Sequence, residues 1–459
     1  MRFLTCLLLV SLLLVASARA EAPSAAFVPG DRWLAIGDSI TQGGGYARHV
    51  ELFHLLRAPD SAPTYLNAGI SGDSAAGALR RFDWDIVPAG APAPTVATVM
   101  LGMNDCGREL YASELSADPA VPAKRAARLE TYGKNLRALV ERLQAAKVRV
   151  ILLTPTPFDD TAKLDTPNLP GANSALAACA AHARALAAER GLGLVELHAS
   201  LTELNLRLQA SDPTSTIIGR DRVHPGSPGH LAMAYHILKA QGGSPLSRVE
   251  LRADTLVVSS AVGAVVSFLG RDAPAGLRFA YVASGLPFPI AADARSALDW
   301  VPFATELNRE ELRLVGLPAG RHRLVIDEQE IGVFDAGDFA RGIDLATFDT
   351  PQRRQAETVR ALLDKRWAAL AKLRRLAEVE HGQASALPRP VTLAAMEPIL
   401  AAWEARLLEK PSWQSKQPGE YRAWKPLAAE LAAEAAHHLV EARAAARPVL
   451  RRFYVRPAP

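Results

Sequence analysis

The chain has 459 residues, 49% hydrophobic and 22% charged, with 31 Gly, 32 Pro and 3 Cys, which excludes collagen-like, disordered and disulfide-framework classes. A formal net charge of +4 is small for that length, so no nucleic-acid-binding surface is implied. At roughly 150 residues per domain, two or three units are expected, each able to bury its own core.

Residues 1–20 open with Arg2, continue through an apolar run from Leu7 to Ala16 broken only by Ser11, and close on Ala18-Arg19-Ala20. A positive start, an apolar middle and small residues at the last and third-last positions describe a secretory signal peptide cleaved before Glu21. The run is shorter than the roughly 20 residues a membrane span requires. Cys6 lies inside the run rather than after the small residues, so a lipid-anchored lipoprotein is not expected either. The mature protein is expected to be exported, periplasmic or extracellular, with no stable membrane insertion. Only Cys106 and Cys179 remain after cleavage. A disulfide between them is open from sequence, but the Ala-rich surroundings of Cys179 favour a small buried thiol.

From residue 31 to about 242, short apolar runs alternate with helical stretches. Trp33–Ile36, Thr64–Ile70, Thr95–Leu101, Val148–Leu153 and Leu192–Leu197 read as buried strands. Helices are expected near 46–57, 74–85, 127–146, 172–190 and 227–240. In the third of these Leu129, Tyr132, Leu136, Leu139, Val140 and Leu143 share one side. Strands alternating with such helices imply βαβ units and a parallel sheet in a three-layer α/β/α sandwich over residues 21–244.

Beyond 245 the period changes to short strand-like runs, including Val262–Leu269, Leu277–Val282 and Leu312–Val315. Residues 245–345 are therefore expected to form a small antiparallel β unit. Its aromatics Phe279, Tyr281, Trp300 and Phe303 suit either a core or a sugar-stacking surface. A helical C-terminal region is expected over 346–459, starting at Thr350-Pro351, a capping residue followed by Pro at the first helical position. Residues 351–381 carry eight Lys or Arg against four Asp or Glu. Binding to an anionic surface and a solvated outer face on a packed helix are the two readings, the second favoured.

Four segments carry chemistry. The first strand ends in Ile36-Gly37-Asp38-Ser39, the second in Asn67-Ala68-Gly69-Ile70-Ser71-Gly72-Asp73, and the third in Leu101-Gly102-Met103-Asn104-Asp105. Asp221-Arg222-Val223-His224-Pro225 precedes the last helix of the domain. Parallel strands share a carboxyl edge, so the strand ends reach one rim, where open α/β sheets bind ligands. A Ser hydroxyl is a poor nucleophile until a base takes its proton, which makes His224 a candidate base for Ser39. Asp221, three residues earlier, is positioned to hold the other ring nitrogen. Asp38, Asp73 and Asp105 are expected to bond nearby backbone in Asx-type turns. His230 is expected to be structural, and His437-His438 point apart on a helix. No metal-ligand spacing and no phosphate loop is present, so no cofactor is expected.

Together the four blocks resemble the GDSL, or SGNH, hydrolase family over about residues 31–242. The resemblance implies a flavodoxin-like sheet in the order 2-1-3-4-5 and a Ser39-His224-Asp221 triad. It also implies an oxyanion hole of the Ser39 N–H, the Gly72 N–H and the Asn104 side-chain amide. No Gly-x-Ser-x-Gly elbow is present, which argues against the α/β-hydrolase fold. The implied activity is hydrolysis of carboxylic esters, with acetyl or short acyl groups on carbohydrates as the first substrate class. Lipid or aryl esters (an esterase or lysophospholipase) are the second. Trp84, Arg108 and Tyr111 are candidate contacts on the rim. A reading of another class is a glycan-binding or scaffold protein acting through residues 245–459.

Overall fold

A computed structural model describes residues 25–272 and 275–458; the expected signal peptide lies outside the described residues. Five parallel strands, β1 (Arg32–Gly37), β2 (Thr64–Gly69), β3 (Val96–Met100), β4 (Arg149–Leu153) and β5 (Gly193–Val195), form a sheet in the order 2-1-3-4-5. It is the doubly wound sheet that the sequence pattern and the resemblance imply. Both faces are covered, so the strands are mainly apolar; all five residues of β3, Val-Ala-Thr-Val-Met, are buried, with Thr98 the polar exception.

The covering helices are α1 (Ser39–Gly43), α2 (Gly45–Arg57), α3 (Ala75–Arg80), α4 (Val121–Ala145), α5 (Ala172–Arg190), α6 (His198–Gln209) and α7 (Ser227–Ala240). Helix α4 buries Tyr132, Leu136, Leu139, Val140 and Leu143, the stripe anticipated from its period. It starts six residues earlier than expected, because Pro122 sits in its first turn, where a missing N–H costs nothing. Helix α3 is shorter than expected, giving way to a wider turn over Phe82–Ile86. Helix α6 was not anticipated; its buried Leu201, Leu204 and Asn205 follow directly on the edge strand.

The second half departs further from expectation. One four-stranded sheet contains Ser247–Arg252 paired in parallel with Glu310–Val315, so the β unit is not wholly antiparallel. A five-stranded sheet takes its central strand from Arg451–Pro457, at the far end of the chain. Phe453 and Val455 alternate inward there and join Phe279, Leu324 and Ile326 in one core. That strand follows an Ala-rich helix, and its partners are more than a hundred residues away, so no local pattern announces it. Phe279 and Tyr281 are core side chains. Trp300 and Phe303 lie outside these strands and pack on the hydrophobic core of the first sheet.

That core does not stop at residue 244. Phe288, Val301, Phe303 and Leu307 belong to it, as do Val359, Leu363 and Trp367 of the helix Pro351–Gln383. Thr350 caps this helix by accepting from the Arg353 N–H at 3.2 Å. The basic side of the helix is solvated in part: Arg354 and Lys365 are exposed, as a solvated outer face requires, while two of its arginines turn inward. Arg366 and Arg374 are buried, Arg366 against Glu51 and Arg374 in a two-bond contact with Asp85 at 2.9 Å. Leu393–Glu409, Gln417–Trp424 and Ala428–Ala445 are the remaining C-terminal helices. Among the described residues no helix is long and apolar enough to cross a membrane.

Candidate active site

Strand β1 is hydrogen-bonded to β2 on one side and β3 on the other. The order of connection reverses there, which opens a crevice at its carboxyl end. The chain leaves β1 through Gly37, where a Cβ would lie 2.1 Å from Thr41 Oγ1 and 2.9 Å from the Met100 carbonyl. Only glycine allows so tight an exit. Asp38 then accepts from the Ile40 N–H at 3.0 Å and starts α1. Ser39 is thus the first helical residue, and its N–H has no acceptor in the helix's own ladder.

The Asp221–His224 segment reaches the same crevice from the loop before α7. Asp221 Oδ1 accepts from the N–H groups of Val223 and His224 at 3.0 and 2.9 Å, folding the four residues into a tight turn. Arg222, at φ 65°, points the other way and is buried. It donates to the carbonyls of Asp159, Ala162 and Thr166 at 2.8, 3.1 and 3.2 Å. This anchor explains why the intervening residue is Arg. The turn places His224 Nδ1 2.5 Å from Asp221 Oδ2, and His224 Nε2 2.7 Å from Ser39 Oγ. Partial burial works to raise the Asp221 carboxyl, but bonds from the His224 N–H and ring and the Val223 N–H outweigh it and hold the pKa below the ordinary range. The site is open: the side chains of His224 and Asp221 are 48% and 54% exposed.

Gly72 and Asn104 meet through Asp73. Gly72 has φ 75°, and open space lies where its Cβ would be. Asn104 Nδ2 donates to the Asp73 carbonyl at 2.9 Å, leaving its second hydrogen free. Arg108 donates to Asn104 Oδ1 at 3.2 Å. A carbonyl on one side and a guanidinium on the other allow the amide only this orientation. Of the three candidate rim contacts, Arg108 therefore acts on Asn104. The Tyr111 ring is covered by Arg125 at 4.0 Å and the Trp84 ring by Arg389 at 3.7 Å.

Three buried carboxyls stand behind this rim, and only Asp38 makes the local turn expected of it. Asp105 reaches 30 residues back to the Ala75 N–H at 2.9 Å. Asp73 pairs with Arg81 at 2.8 Å, both side chains being sealed from solvent. Burial pushes Asp38 up to about 6 and Asp105 up to about 7, despite the backbone bond each accepts. His230 is half-buried against Gly45, and desolvation lowers its pKa to about 3, so it is neutral and structural. Cys106 and Cys179 are both free and buried. Among the described residues no group of three or more His, Cys, Asp or Glu side chains is placed to hold a metal ion.

Sequence reasoning did not single out Gln42 or Glu378. Gln42, on α1, accepts from the Ser71 N–H at 2.5 Å and donates to Glu378 Oε2 at 2.6 Å. Glu378 is 336 residues away, so only the folded chain could have shown the link.

A hydrogen-bonded Ser-His-Asp relay at the switch point of a doubly wound sheet has the geometry of a hydrolase site. Residues 35–232 match the family model of the GDSL-like lipase/acylhydrolase family, and this segment is a domain of that family. A search among curated proteins finds no match. Among solved structures, a gut microbial diltiazem-metabolizing enzyme is 28% identical, covers 95% of this chain and 100% of its own, and superimposes with a TM-score of 0.86. An acetylxylan esterase from Geobacillus stearothermophilus, Axe2, is 23% identical over 48% of this chain and 96% of its own, with a TM-score of 0.38. The likeness to the first takes in the β unit and the C-terminal helices as well as the hydrolase domain.

Proposed function

We propose that the protein is an exported serine esterase that cleaves carboxylic esters through an acyl-enzyme on Ser39. The observation that carries this reading is the relay of 2.7 Å from Ser39 Oγ to His224 Nε2 and 2.5 Å from His224 Nδ1 to Asp221 Oδ2. In this reading Ser39 Oγ attacks the ester carbonyl while His224 Nε2 takes the hydroxyl proton. Asp221 keeps the other ring nitrogen protonated and stabilises the imidazolium. The negative oxygen of the tetrahedral intermediate accepts from the Ser39 N–H, the Gly72 N–H and the free Asn104 Nδ2 hydrogen. His224 returns the proton to the departing alcohol. Water, deprotonated by His224, then releases the acid.

The first substrate class is a short acyl ester, such as acetyl, on a carbohydrate. An open site suits this class, because a small acyl group needs little enclosure and a large alcohol can remain in solvent. Likeness over the whole chain to a drug-metabolizing enzyme favours a small-molecule ester as the second class. Export rests on the pattern of residues 1–20.

The test is turnover of p-nitrophenyl acetate and of acetylated polysaccharides by the wild-type chain and Ser39→Ala. The expected result is turnover by the wild type alone, with both proteins equally folded. Equal rates would refute the assignment.

A further inference from the structure

The loop that carries Gly72 is held within the hydrolase domain by Asn104 and Arg81 on Asp73, and it is also held from outside that domain. The residue before Gly72, Ser71, gives its N–H to Gln42 Oε1 at 2.5 Å. The other end of that carboxamide donates to Glu378 Oε2 at 2.6 Å, from the helix Pro351–Gln383. The residue after Gly72 is Asp73, and His381 Nε2 of the same helix lies 3.8 Å from its Oδ1. Glu378 and His381 are three residues apart, hence on one face of the helix. Both neighbours of Gly72 are therefore approached from one helix, which lies beyond the family-matched residues 35–232.

The chemistry of the Gln42 carboxamide makes Glu378 decisive. A primary amide can rotate end for end, exchanging a donor for an acceptor. A carboxylate only accepts and a backbone N–H only donates. With Glu378 at one end and Ser71 at the other, one orientation makes two bonds and the reverse makes two repulsive contacts. Arg375 holds Glu378 in turn, with Nη1 2.5 Å from the same Oε2. Glu378 is 7% exposed, so water is a poor substitute for it. Without Glu378 only the Ser71 N–H is left to select the amide's orientation, the Gln42 side chain loses its anchor at the other end, and the Ser71 N–H and the next peptide, which presents the Gly72 N–H, are held less firmly.

We propose that Glu378 is a positioning residue for ester hydrolysis, setting the Gly72 N–H through Gln42 and Ser71. The C-terminal helix thereby completes the oxyanion hole rather than forming a separate module. This rests on the reading of Gly72 as an oxyanion donor, and it assigns the control of that donor to a residue outside the family-matched segment 35–232.

The experiment compares kcat and KM on p-nitrophenyl acetate for the wild type, Ser39→Ala, Glu378→Leu, Glu378→Gln, Gln42→Leu and the double variant Glu378→Leu/Gln42→Leu. Misplacing one donor of a catalytic site by about 1 Å costs up to about 100-fold in rate. Glu378→Leu is expected to lose about 10- to 100-fold in kcat, with KM within about twofold. Glu378→Gln retains an acceptor for Gln42 Nε2 and is expected to keep most of the rate. Gln42→Leu removes the link from the hydrolase side, and keeps the test decisive if Glu378→Leu does not fold. The double variant should lose no more than the worse single, since both cut one chain. Wild-type turnover with Glu378→Leu or Gln42→Leu within twofold of it would overturn the positioning role alone. So would a kcat loss in Glu378→Gln as large as in Glu378→Leu. No wild-type turnover would overturn the esterase reading and the positioning role together.

Discussion

Replacing Arg366 by Met tests whether the two halves of the chain are one folding unit. Arg366 Nε lies 3.3 Å from Glu51 Oε1, 315 residues away in sequence. The side chains of Arg366 and Glu51 are only 4% and 2% exposed. Arg366 also donates to the Tyr65 carbonyl at 2.7 Å and the Ala435 carbonyl at 3.0 Å. It therefore ties helix α2, strand β2 and the helix Ala428–Ala445 to the helix Pro351–Gln383. The Met variant strands a buried carboxylate whose one remaining bond among the described residues is from Trp367 Nε1 at 2.6 Å. Removing one partner of a buried pair costs about 3–5 kcal/mol, and each carbonyl left without its donor adds about 1 kcal/mol. Some relaxation will offset this, so the expected loss is about 4 kcal/mol. Adding Glu51→Gln should recover part of it, because a neutral amide is less costly to strand and still accepts from Trp367. Urea unfolding followed by tryptophan fluorescence measures both. A loss below about 1 kcal/mol, as an exposed pair would give, would refute the reasoning. So would an early transition confined to the C-terminal helices.

Asn104→Ala removes the one side-chain donor of the proposed oxyanion hole and should lower kcat about 10²- to 10³-fold with little change in KM; an unchanged kcat in an ester assay would remove Asn104 from the hole. Glu310 is wholly buried, and burial pushes its pKa from 4.5 up to about 7. Its Oε1 accepts from Tyr281 and Gln352, but Oε2 has no partner among the described residues. A raised acid stabilises fully below its unfolded pKa and loses that contribution as pH rises through the folded value. Stability should therefore fall by about 3 kcal/mol between pH 4.5 and 8 on this account. Glu310→Gln keeps the acceptor and should flatten that decline; a variant curve parallel to the wild type would show that Glu310 is not its source.

Local pattern was enough for the sheet and the motif blocks at its rim. Strands buried on both faces are near-continuous apolar runs, and Val96–Met100, polar only at Thr98, is legible for that reason. Ser39, Asp221 and His224 were legible because motif residues at strand ends and in a four-residue turn need few partners to be placed. Asp73 and Asp105 were misread as local caps, because Arg81 and the Ala75 N–H reach them only across the fold.

The chain by itself determined a doubly wound hydrolase domain, the order of its chemical groups and the rim they share, because these follow from periodicity and from a common strand direction. Tertiary structure alone decided that Arg451–Pro457 is a central strand, that Arg366 and Arg374 face inward, and that Glu378 reaches Gln42. Each of these depends on a partner far along the chain. A buried charge or a strand inserted between distant neighbours leaves no period in its own segment; it is stable only once those neighbours are in place.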